Sequence, residues 1–264
     1  MIKELLPPIL RKLLLRLGFG GNRFAHGFSS WEAASKKSLG YDSLQITNQL
    51  VEATRKVRDG EFAYERDGVL FQKIEHSWPL LTSLLATPRE GQVLRVLDWG
   101  GSLGSTYRQN RQVLESAGIE LEWTVVEQPH LVSIGESEFA DGALRFALNL
   151  EGFKNGDFDV VLFASSICYV PDAEAVLSSV AGLAPKRIIF DRTPEATGQD
   201  NFYGVQKVGS KIYKASYPIR SFGRGIIEGI LAPNYAKLLE WECELQPDPQ
   251  TVSKGYLFSR SDVN

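Results

Sequence analysis

One short glycine-rich stretch holds the residue types of this sequence that are best suited to chemistry. Residues 98–104 read DWGGSLG, and they follow the apolar run of residues 94–97. Gly100 to Gly104 match G-x-S-x-G, the pattern of a hydrolase nucleophile. They also match a glycine turn at a nucleotide site, or a turn that merely requires glycine. Residues farther along the chain decide between these interpretations.

The hydrolase interpretation fails on the order of the other catalytic residues. An α/β-hydrolase places its acid, and then its histidine, after the nucleophilic serine. His130 is the only histidine after Ser102, and it lies directly beyond the second expected strand. Ser102 is therefore not expected to act as a nucleophile.

Two carboxylates support the nucleotide interpretation. Glu127 ends the apolar run of residues 123–126, where a carboxylate can accept hydrogen bonds from both hydroxyls of a ribose. Asp98 precedes the first glycine, where it would repel a pyrophosphate but attract a cation. Neither G-x-G-x-x-G nor G-x-x-x-x-G-K-[ST] is present. The pattern predicts S-adenosylmethionine, which carries a sulfonium and an ammonium group.

Apolar runs alternate with helical patterns over residues 93–191, and this rhythm predicts a parallel sheet with helices on both faces. The expected strands are residues 94–97, 123–126, 143–148, 158–163 and 187–190. Asp172 is expected to cap the helix that follows the fourth strand. Residues 238–244 and 255–259 are expected to pair as antiparallel strands, because Pro247 and Pro249 mark a turn between them.

The first 90 residues are predicted to form a helical extension that caps the substrate site, and residues 91–264 the cofactor-binding domain. Helical spacing is expected over residues 46–57 and 69–85, with a bend or restart at Pro79. The pair Ser29-Ser30 is expected to cap a helix that begins at Trp31. Residues 8–17 form a basic amphipathic pattern that would either pack on the domain or lie on an anionic membrane surface. The apolar runs there are too short to span a bilayer, and no secretory cleavage site follows them.

The composition is typical of a globular protein, since 43% of the 264 residues are hydrophobic and 23% are charged. A formal net charge of -3 gives no electrostatic reason to expect a nucleic-acid partner. Cys168 and Cys243 are expected to be reduced, as in a cytoplasmic protein. No spacing of His or Cys residues indicates a metal site.

The motifs V-L-D-x-G-x-x-x-G, a carboxylate ending the next strand, and F-D-V-V-L-F together resemble the class I S-adenosylmethionine-dependent methyltransferases. Longer segments extend the resemblance to a family of bacterial proteins known only as methyltransferase-like: WEAASKKSLGYDS, FAYERDGVLF, SWPLL, LDWGGSLGSTYRQNR and ASYPIRSF. The resemblance implies a Rossmann-like, mostly parallel sheet with an antiparallel C-terminal strand. It implies methyl transfer but names no acceptor. Ser102 departs from the usual glycine at the middle of the turn.

Carried onto this sequence, the resemblance implies that Asp98 holds the methionine end of the cofactor and Glu127 its ribose. The other implied cofactor contacts are Gly100, Gly101, Ser102, Gly104, Gln128, Asn149, Ala164 and Ser165. For Asn149, a role as a local turn former is an open alternative.

The acceptor side is indicated by residue type alone. A hydroxyl acceptor needs a base within hydrogen-bond reach, and the catalytic candidates are Asp191, Tyr169 and His76, although a helical His76 could simply pack beside Trp78. Residues 64–67 and 213–222 concentrate aromatic and basic side chains, which predicts either surface loops or a lid over a polar pocket. The residues expected to contact the acceptor are Tyr64, Arg66, Tyr217 and Arg220, the two arginines as a clamp for a phosphate or carboxylate.

The leading hypothesis is an O-methyltransferase for a small molecule or a surface-polysaccharide precursor in the bacterial cytoplasm. The basic N-terminus adds the hypothesis of contact with the inner face of the membrane. The alternatives are an NAD-dependent oxidoreductase and a non-catalytic binding protein with a methyltransferase fold. The sequence indicates neither the acceptor nor the oligomeric state.

Overall fold

The computed structural model describes residues 23–38, 44–207, 215–243 and 250–263 of the chain. The strands in this part are β1 (Arg23–Phe28), β2 (Tyr64–Arg66), β3 (Val69–Phe71), β4 (Val93–Trp99), β5 (Glu120–Val126), β6 (Leu144–Ala147), β7 (Val160–Ala164), β8 (Arg187–Ala196), β9 (Phe202–Lys207), β10 (Ser216–Ser221), β11 (Tyr235–Glu242) and β12 (Thr251–Arg260). The α-helices are α1 (Trp31–Ser35), α2 (Leu44–Arg58), α3 (Trp78–Leu85), α4 (Ser105–Ser116), α5 (Pro129–Ile134), α6 (Ala173–Gly182) and α7 (Ile226–Leu231).

A seven-stranded sheet forms the centre of the molecule, in the spatial order β11-β12-β8-β7-β4-β5-β6. Strands β4 to β8 run parallel to one another, whereas β12 pairs antiparallel with both β8 and β11. The parallel strands are apolar runs because helices cover both faces of the sheet and leave no solvated side. The expected Rossmann-like sheet, with its antiparallel C-terminal strand, is confirmed.

Helices on the two faces of the sheet bury separate apolar cores. On one face, Leu80 and Leu84 of α3 and Tyr107 of α4 pack in one cluster with Trp123. On the other face, α6 and α7 bury their apolar residues against β7 and β8. Asp172 caps α6 as expected, since its side chain accepts a hydrogen bond from the Ala175 main-chain N–H, 3.1 Å away.

The strand order creates a crevice between β4 and β7. From β4 the chain moves outward to β5 and β6, and it then returns to β7 and β8 on the other side of β4. The loops that leave β4 and β7 therefore diverge, and open α/β sheets bind their ligands in such a crevice. Both the glycine turn of residues 100–104 and the residues after Ala164 lie at this point.

The expected helix over residues 69–85 is wrong in its first half. Asp67 (φ 53°) and Gly68 (φ 74°) form the two-residue turn of a hairpin between β2 and β3. Positive φ at both central residues is the type I′ conformation, for which Asp-Gly is a strong signal. Helix α3 begins only at Trp78, with Pro79 in its first turn, where proline is favoured because its missing N–H has no partner to lose. His76 therefore lies in the connection before α3 and not on a helix.

Residues 213–222, expected as surface loops or a lid, contain a strand in their described part. This strand, β10, and β9 join β1 in a three-stranded antiparallel sheet with the order β1-β9-β10. Pro218 is tolerated because β10 is an edge strand. This sheet combines strands from both sides of the expected boundary at residue 90, and the boundary itself stays a prediction.

The amphipathic pattern of residues 8–17 lies outside the described residues. Within the described ranges, no helix has the length and apolar character needed to cross a bilayer. Ser30 caps α1 as expected, since its hydroxyl accepts from the Ala33 main-chain N–H at 3.2 Å. Cys168 is buried, Cys243 is half-buried, and both are free thiols.

Candidate cofactor and acceptor site

The glycine turn after β4 touches the turn after β7 across the crevice. The Gly100 main-chain N–H donates to the Val126 carbonyl at 2.9 Å, which ties the turn to the end of β5. Gly100 has φ 68°, and a Cβ at this position would lie 2.6 Å from the Cβ of Ser166. Only glycine allows this backbone conformation and this close approach together.

Asp98 is the buried charge at the centre of the site. Its side chain is fully buried, and its Oδ2 accepts a hydrogen bond from the Trp123 indole N–H at 3.1 Å. A Cβ on Gly101 would lie 2.6 Å from the Asp98 carboxyl carbon, so the main chain passes directly over the carboxylate. Oδ1 has no hydrogen-bond partner among the described residues. A buried acceptor without a donor is costly, so this oxygen is open to a ligand.

Burial raises the pKa of Asp98 to about 7. The hydrogen bond from Trp123 lowers this pKa, whereas the nearby charge of Glu127 raises it. The carboxylate is thus held where its negative charge is poorly solvated, and a cation beside Oδ1 would stabilise it.

Glu127 fastens the glycine turn from the neighbouring strand end. Its Oε1 accepts from the Ser102 main-chain N–H at 3.2 Å, and its Oε2 accepts from the Gln128 N–H at 2.7 Å. Burial raises the pKa of Glu127, against these two hydrogen bonds, which lower it. Each carboxylate oxygen has a second acceptor position. Glu127 can therefore hold the turn and still accept hydrogen bonds from a ribose.

Backbone strain is concentrated at this end of the sheet. Ser102 (φ 57°), Ser165 (φ 61°) and Arg192 (φ 54°) adopt the left-handed conformation after β4, after β7 and within β8. For a residue with a side chain this conformation costs roughly 1–3 kcal/mol, and it occurs preferentially at functional sites. The Ser165 N–H donates to the Asp191 carbonyl at 2.8 Å, so the strained positions belong to one connected rim.

These features fit the methionine and adenosine parts of S-adenosylmethionine. Asp98 presents an unsatisfied carboxylate oxygen, and the backbone at Gly100 and Gly101 passes without side chains beside it. The cation of such a ligand would complete the bonding of Asp98, and Glu127 stands where its ribose is expected. Among the described residues, no cluster of three or more His, Cys, Asp or Glu side chains could hold a metal ion.

Asp191, the first catalytic candidate, is a fully buried anchor. Its Oδ1 accepts hydrogen bonds from Ser77 Oγ at 3.0 Å and Trp241 Nε1 at 3.2 Å, with Cys243 Sγ 3.9 Å away. Its Oδ2 pairs with the guanidinium of Arg192. Both oxygens of Asp191 are thus engaged by side chains of this chain, which is the arrangement of a supporting residue.

The Tyr169 candidate belongs to a packed aromatic wall. Its hydroxyl donates to Oε1 of Gln206, and its ring lies 6.0 Å from that of Tyr217. Arg220 is also buried in this wall, and its Nη2 donates to the Pro171 carbonyl at 2.7 Å. Three rings surround its guanidinium at 5.6–5.7 Å: Trp31, Tyr203 and Phe222. The clamp expected of Arg66 and Arg220 is therefore not open at Arg220, because that guanidinium is enclosed.

His76 is the candidate with an unused nitrogen. Its Nδ1 is buried and has no hydrogen-bond partner in the described part of the chain. The hydrogen bond from Ser77 to Asp191 holds this segment against the middle of β8. The imidazole lies 5.3 Å from the indole of Trp78, which is 64% exposed and forms an open aromatic surface.

The other residues that are expected to contact the cofactor or the acceptor differ in how far they are buried. Asn149 is exposed beyond β6, and its Oδ1 accepts from the Glu151 N–H at 2.8 Å, which is the bond of a local turn. Tyr64 is buried in β2, and the guanidinium of Arg66 lies 5.6 Å from the Phe71 ring. Gln128 is exposed beside Glu127, while Ala164 ends β7. Their roles toward a ligand stay predictions.

Sequence reasoning missed three residues that organise the site. Trp123 bonds Asp98, Ser77 bonds Asp191, and Glu65 bonds Ser105 at the start of α4. The Asp-Gly dipeptide at residues 67 and 68 could have located the hairpin that carries Glu65. The other two bonds join elements that are distant in sequence, and no local pattern indicates them.

The chain is similar in structure to several solved proteins. A SAM-dependent methyltransferase from Methanosarcina mazei is 12% identical over 69% of this chain and 97% of its own, with a TM-score of 0.48. The N-terminal domain of EvdMO1, solved with SAH and D-fucose, is 15% identical over 83% of this chain and 99% of its own, with a TM-score of 0.47. LepI, solved in complex with SAM, is 16% identical over 70% of this chain, with a TM-score of 0.46; the aligned part is only 47% of the LepI chain.

No protein-family model matches the chain, and no curated protein matches it significantly. The parallel direction of β4 to β8 and the antiparallel direction of β12 nevertheless agree with the sheet that the sequence predicted. The fold is a Rossmann-like α/β fold with a mostly parallel sheet.

We expect Asp98→Asn to stabilise the ligand-free protein at alkaline pH. Because burial raises the pKa of Asp98 to about 7, its contribution to stability is complete below the unfolded pKa of about 3.9 and is lost as the pH rises through the folded value. The neutral amide avoids this loss. Urea unfolding at pH 8 should therefore give the variant on the order of 1–3 kcal/mol more stability than the wild type, with a smaller difference at pH 5.

Asp159→Asn is the matched control, since Asp159 is a buried carboxylate at the opposite edge of the sheet. It is paired with Lys186 Nζ at 2.8 Å and accepts from the Arg95 N–H at 3.0 Å. Its variant should lose stability at pH 8. Destabilisation of both variants to the same extent would show that Asp98 is an ordinary satisfied carboxylate.

Proposed function

We propose that this protein is an S-adenosylmethionine-dependent methyltransferase. The observation that carries the proposal is the buried Asp98, whose Oδ1 lacks a donor among the described residues at the crevice between β4 and β7. Glu127 at the end of β5 adds the expected ribose ligand. A dinucleotide would present a pyrophosphate to this turn, and the charge of Asp98 opposes that ligand. The NAD-dependent alternative is therefore not favoured.

The role of this chain is to bind the cofactor and the acceptor, to align them, and to exclude water from the site. When bound, the cofactor supplies an electrophilic methyl group on its sulfonium. Asp98 would hold the ammonium end and Glu127 the ribose, while Ser165 and Ser166 bring only small side chains to the end of β7. For an in-line displacement at carbon, alignment of the two reactants supplies much of the rate acceleration.

We further propose that the acceptor atom is a hydroxyl oxygen and that His76 is its base. Asp191 and Tyr169 are both engaged, whereas Nδ1 of His76 is buried without a described partner. Imidazole is the side chain most often used to remove a proton from a reacting hydroxyl. A catalytic role for His76 also argues against a binding-only protein.

The surroundings of His76 favour a polar ring as the acceptor, and we propose a small hydroxylated molecule or a surface-glycan precursor. Trp78 offers an exposed indole face on which a ring can pack. Arg66 ends β2, about ten residues before His76 in the chain, and supplies a cationic side chain. Such precursors are made in the cytoplasm, which is the location that we propose. The net charge of -3 gives no electrostatic reason to propose a nucleic-acid partner.

Binding of S-adenosylhomocysteine tests the proposed cofactor. At about 100 times its Kd this product should add roughly 2.7 kcal/mol to the free energy of unfolding, which raises Tm by roughly 2–4 °C at this size. Asp98→Ala and Glu127→Ala should remove most of the shift. A shift with NAD and none with S-adenosylhomocysteine would reject the proposal.

Turnover tests the proposed base. Wild-type protein should release S-adenosylhomocysteine from S-adenosylmethionine when it is given a suitable member of a panel of hydroxylated sugars and sugar phosphates. His76→Ala should lower kcat by roughly 10²–10⁴ while leaving the Kd for S-adenosylhomocysteine unchanged. An unchanged kcat in the variant would exclude His76 as the base, and cofactor binding without turnover on any acceptor would favour the binding-only alternative.

A sedimentation assay with anionic liposomes tests the proposed contact of the basic N-terminus with the membrane. Residues 1–23 include Lys3, Arg11, Lys12, Arg16 and Arg23 among leucines. Deletion of residues 1–20 should abolish binding, and added salt should weaken it, because the attraction is electrostatic. Equal binding of the full and shortened chains would contradict the proposal.

A further inference from the structure

Glu65 is a buried carboxylate for which the proposed chemistry has no use. Only 1% of its surface is exposed, although it lies on the short strand β2. Its Oε2 accepts from the Gly68 N–H at 3.2 Å, within the turn of its own hairpin, and its Oε1 accepts from the hydroxyl of Ser105. Glu65 thus joins the β2–β3 hairpin to the first residue of α4.

The beginning of α4 has no capping side chain of its own. Its N-cap is Gly104, with φ 88°, which follows directly from the glycine turn. The first N–H groups of a helix carry a partial positive charge, so a carboxylate beside them is stabilising. Glu65 supplies that carboxylate from a different part of the chain, and it does so through Ser105.

A second side chain holds the glycine turn from another direction. Arg108, one turn along α4, donates from Nη1 to the Leu103 carbonyl. A Cβ on Gly104 would lie 2.9 Å from this nitrogen, so the guanidinium is packed against the turn itself. The positive charge of Arg108 also lowers the pKa of Glu65, while burial raises that pKa to about 7. The end of the glycine turn is therefore fixed between Glu65 and Arg108.

The same hairpin extends toward the acceptor side of the crevice. Burial lowers the pKa of Arg192, but nearby negative charges raise it overall, and Asp67, in the turn of the hairpin, is one of them. Arg192 is ion-paired with Asp191, which lies within β8 beside the end of β7, and the charge of Arg192 opposes the burial that raises the pKa of Asp98. The hairpin thus contacts the glycine turn through Ser105 and lies near the part of β8 that is expected to face the acceptor.

We infer that Glu65 is a positioning residue that couples docking of the β2–β3 hairpin to cofactor binding in the glycine turn. This inference rests on the proposed function, because it requires that the turn binds S-adenosylmethionine. A cofactor that orders residues 100–104 also fixes Ser105, and Ser105 then holds Glu65 and its hairpin. By thermodynamic reciprocity, the factor by which the bound cofactor strengthens docking of the hairpin equals the factor by which the docked hairpin strengthens cofactor binding. Loss of the Glu65–Ser105 bond should remove this factor from both equilibria.

Calorimetric titration and hydrogen exchange with S-adenosylhomocysteine test the inference. In the wild-type protein the ligand should slow amide exchange in residues 64–71 as well as in residues 100–106. Glu65→Gln keeps the size of the side chain but removes its charge, so the Kd should rise about tenfold, the loss of one charge-assisted hydrogen bond. Ligand-induced protection of residues 64–71 should disappear, while that of residues 100–106 remains.

Variants of Ser105 and of a neighbouring glutamate separate this coupling from a general loss of stability. Ser105→Ala should reproduce the effects of Glu65→Gln, whereas Ser105→Thr keeps the hydroxyl and should restore both affinity and protection. Glu61→Gln, an exposed change just before the hairpin, should bind like the wild type. Should Glu65→Gln fail to fold, the Ser105 pair decides the question alone.

Two results would overturn the inference in distinguishable ways. If the wild-type protein binds the ligand, and Glu65→Gln or Ser105→Ala binds it equally with the same protection of residues 64–71, the coupling does not exist and the proposed function stands. If the wild-type protein does not bind S-adenosylhomocysteine, the proposed function fails and the inference fails with it.

Discussion

A single buried carboxylate constrains the arrangement at the carboxyl edge of the sheet. Asp98 has no access to water, so its position requires the indole of Trp123 on one oxygen and a side-chain-free backbone at Gly101 above it. Keeping a poorly solvated charge in the interior costs free energy that a purely structural sheet end would avoid. The glycine turn of residues 100–104, with its left-handed Ser102, and the neighbouring strand β5 surround that charge.

Two further carboxylates, Asp191 and Glu65, stabilise the rim of the crevice. Asp191, within β8, binds the connection before α3 and strand β11, while Glu65 joins the hairpin to the start of α4. Both are buried and both join elements that are remote in sequence. The three buried acids therefore differ in role: Asp98 faces the expected ligand, whereas Asp191 and Glu65 hold the elements that surround it. Their separate environments explain why residue type alone could not assign their roles.

The sequence was sufficient for the features that local patterns determine. The apolar runs located the parallel strands, and a carboxylate at the ends of β4 and β5 located the cofactor side, because strand ends on one edge of a sheet must lie together. The same reasoning could not predict elements that depend on pairing between segments distant in the sequence. Residues 203–222 have no clean periodicity because β9 and β10 lie in a small sheet whose third strand is β1. Asp191 is a candidate base by residue type, and the sequence could not indicate its donors Ser77 and Trp241, because they come from two distant segments.

The small sheet β1-β9-β10 also sets the order in which the molecule can be completed. Arg23 at the start of β1 pairs with Lys207 at the end of β9, so the first strand has its partner only after most of the chain has been synthesised. Contacts between such distant segments form slowly, and an unpaired strand is meanwhile open to wrong partners. The central parallel strands, by contrast, are connected through neighbouring segments of the chain. During synthesis β1 therefore waits for β9, while β4 to β8 can already pair with one another.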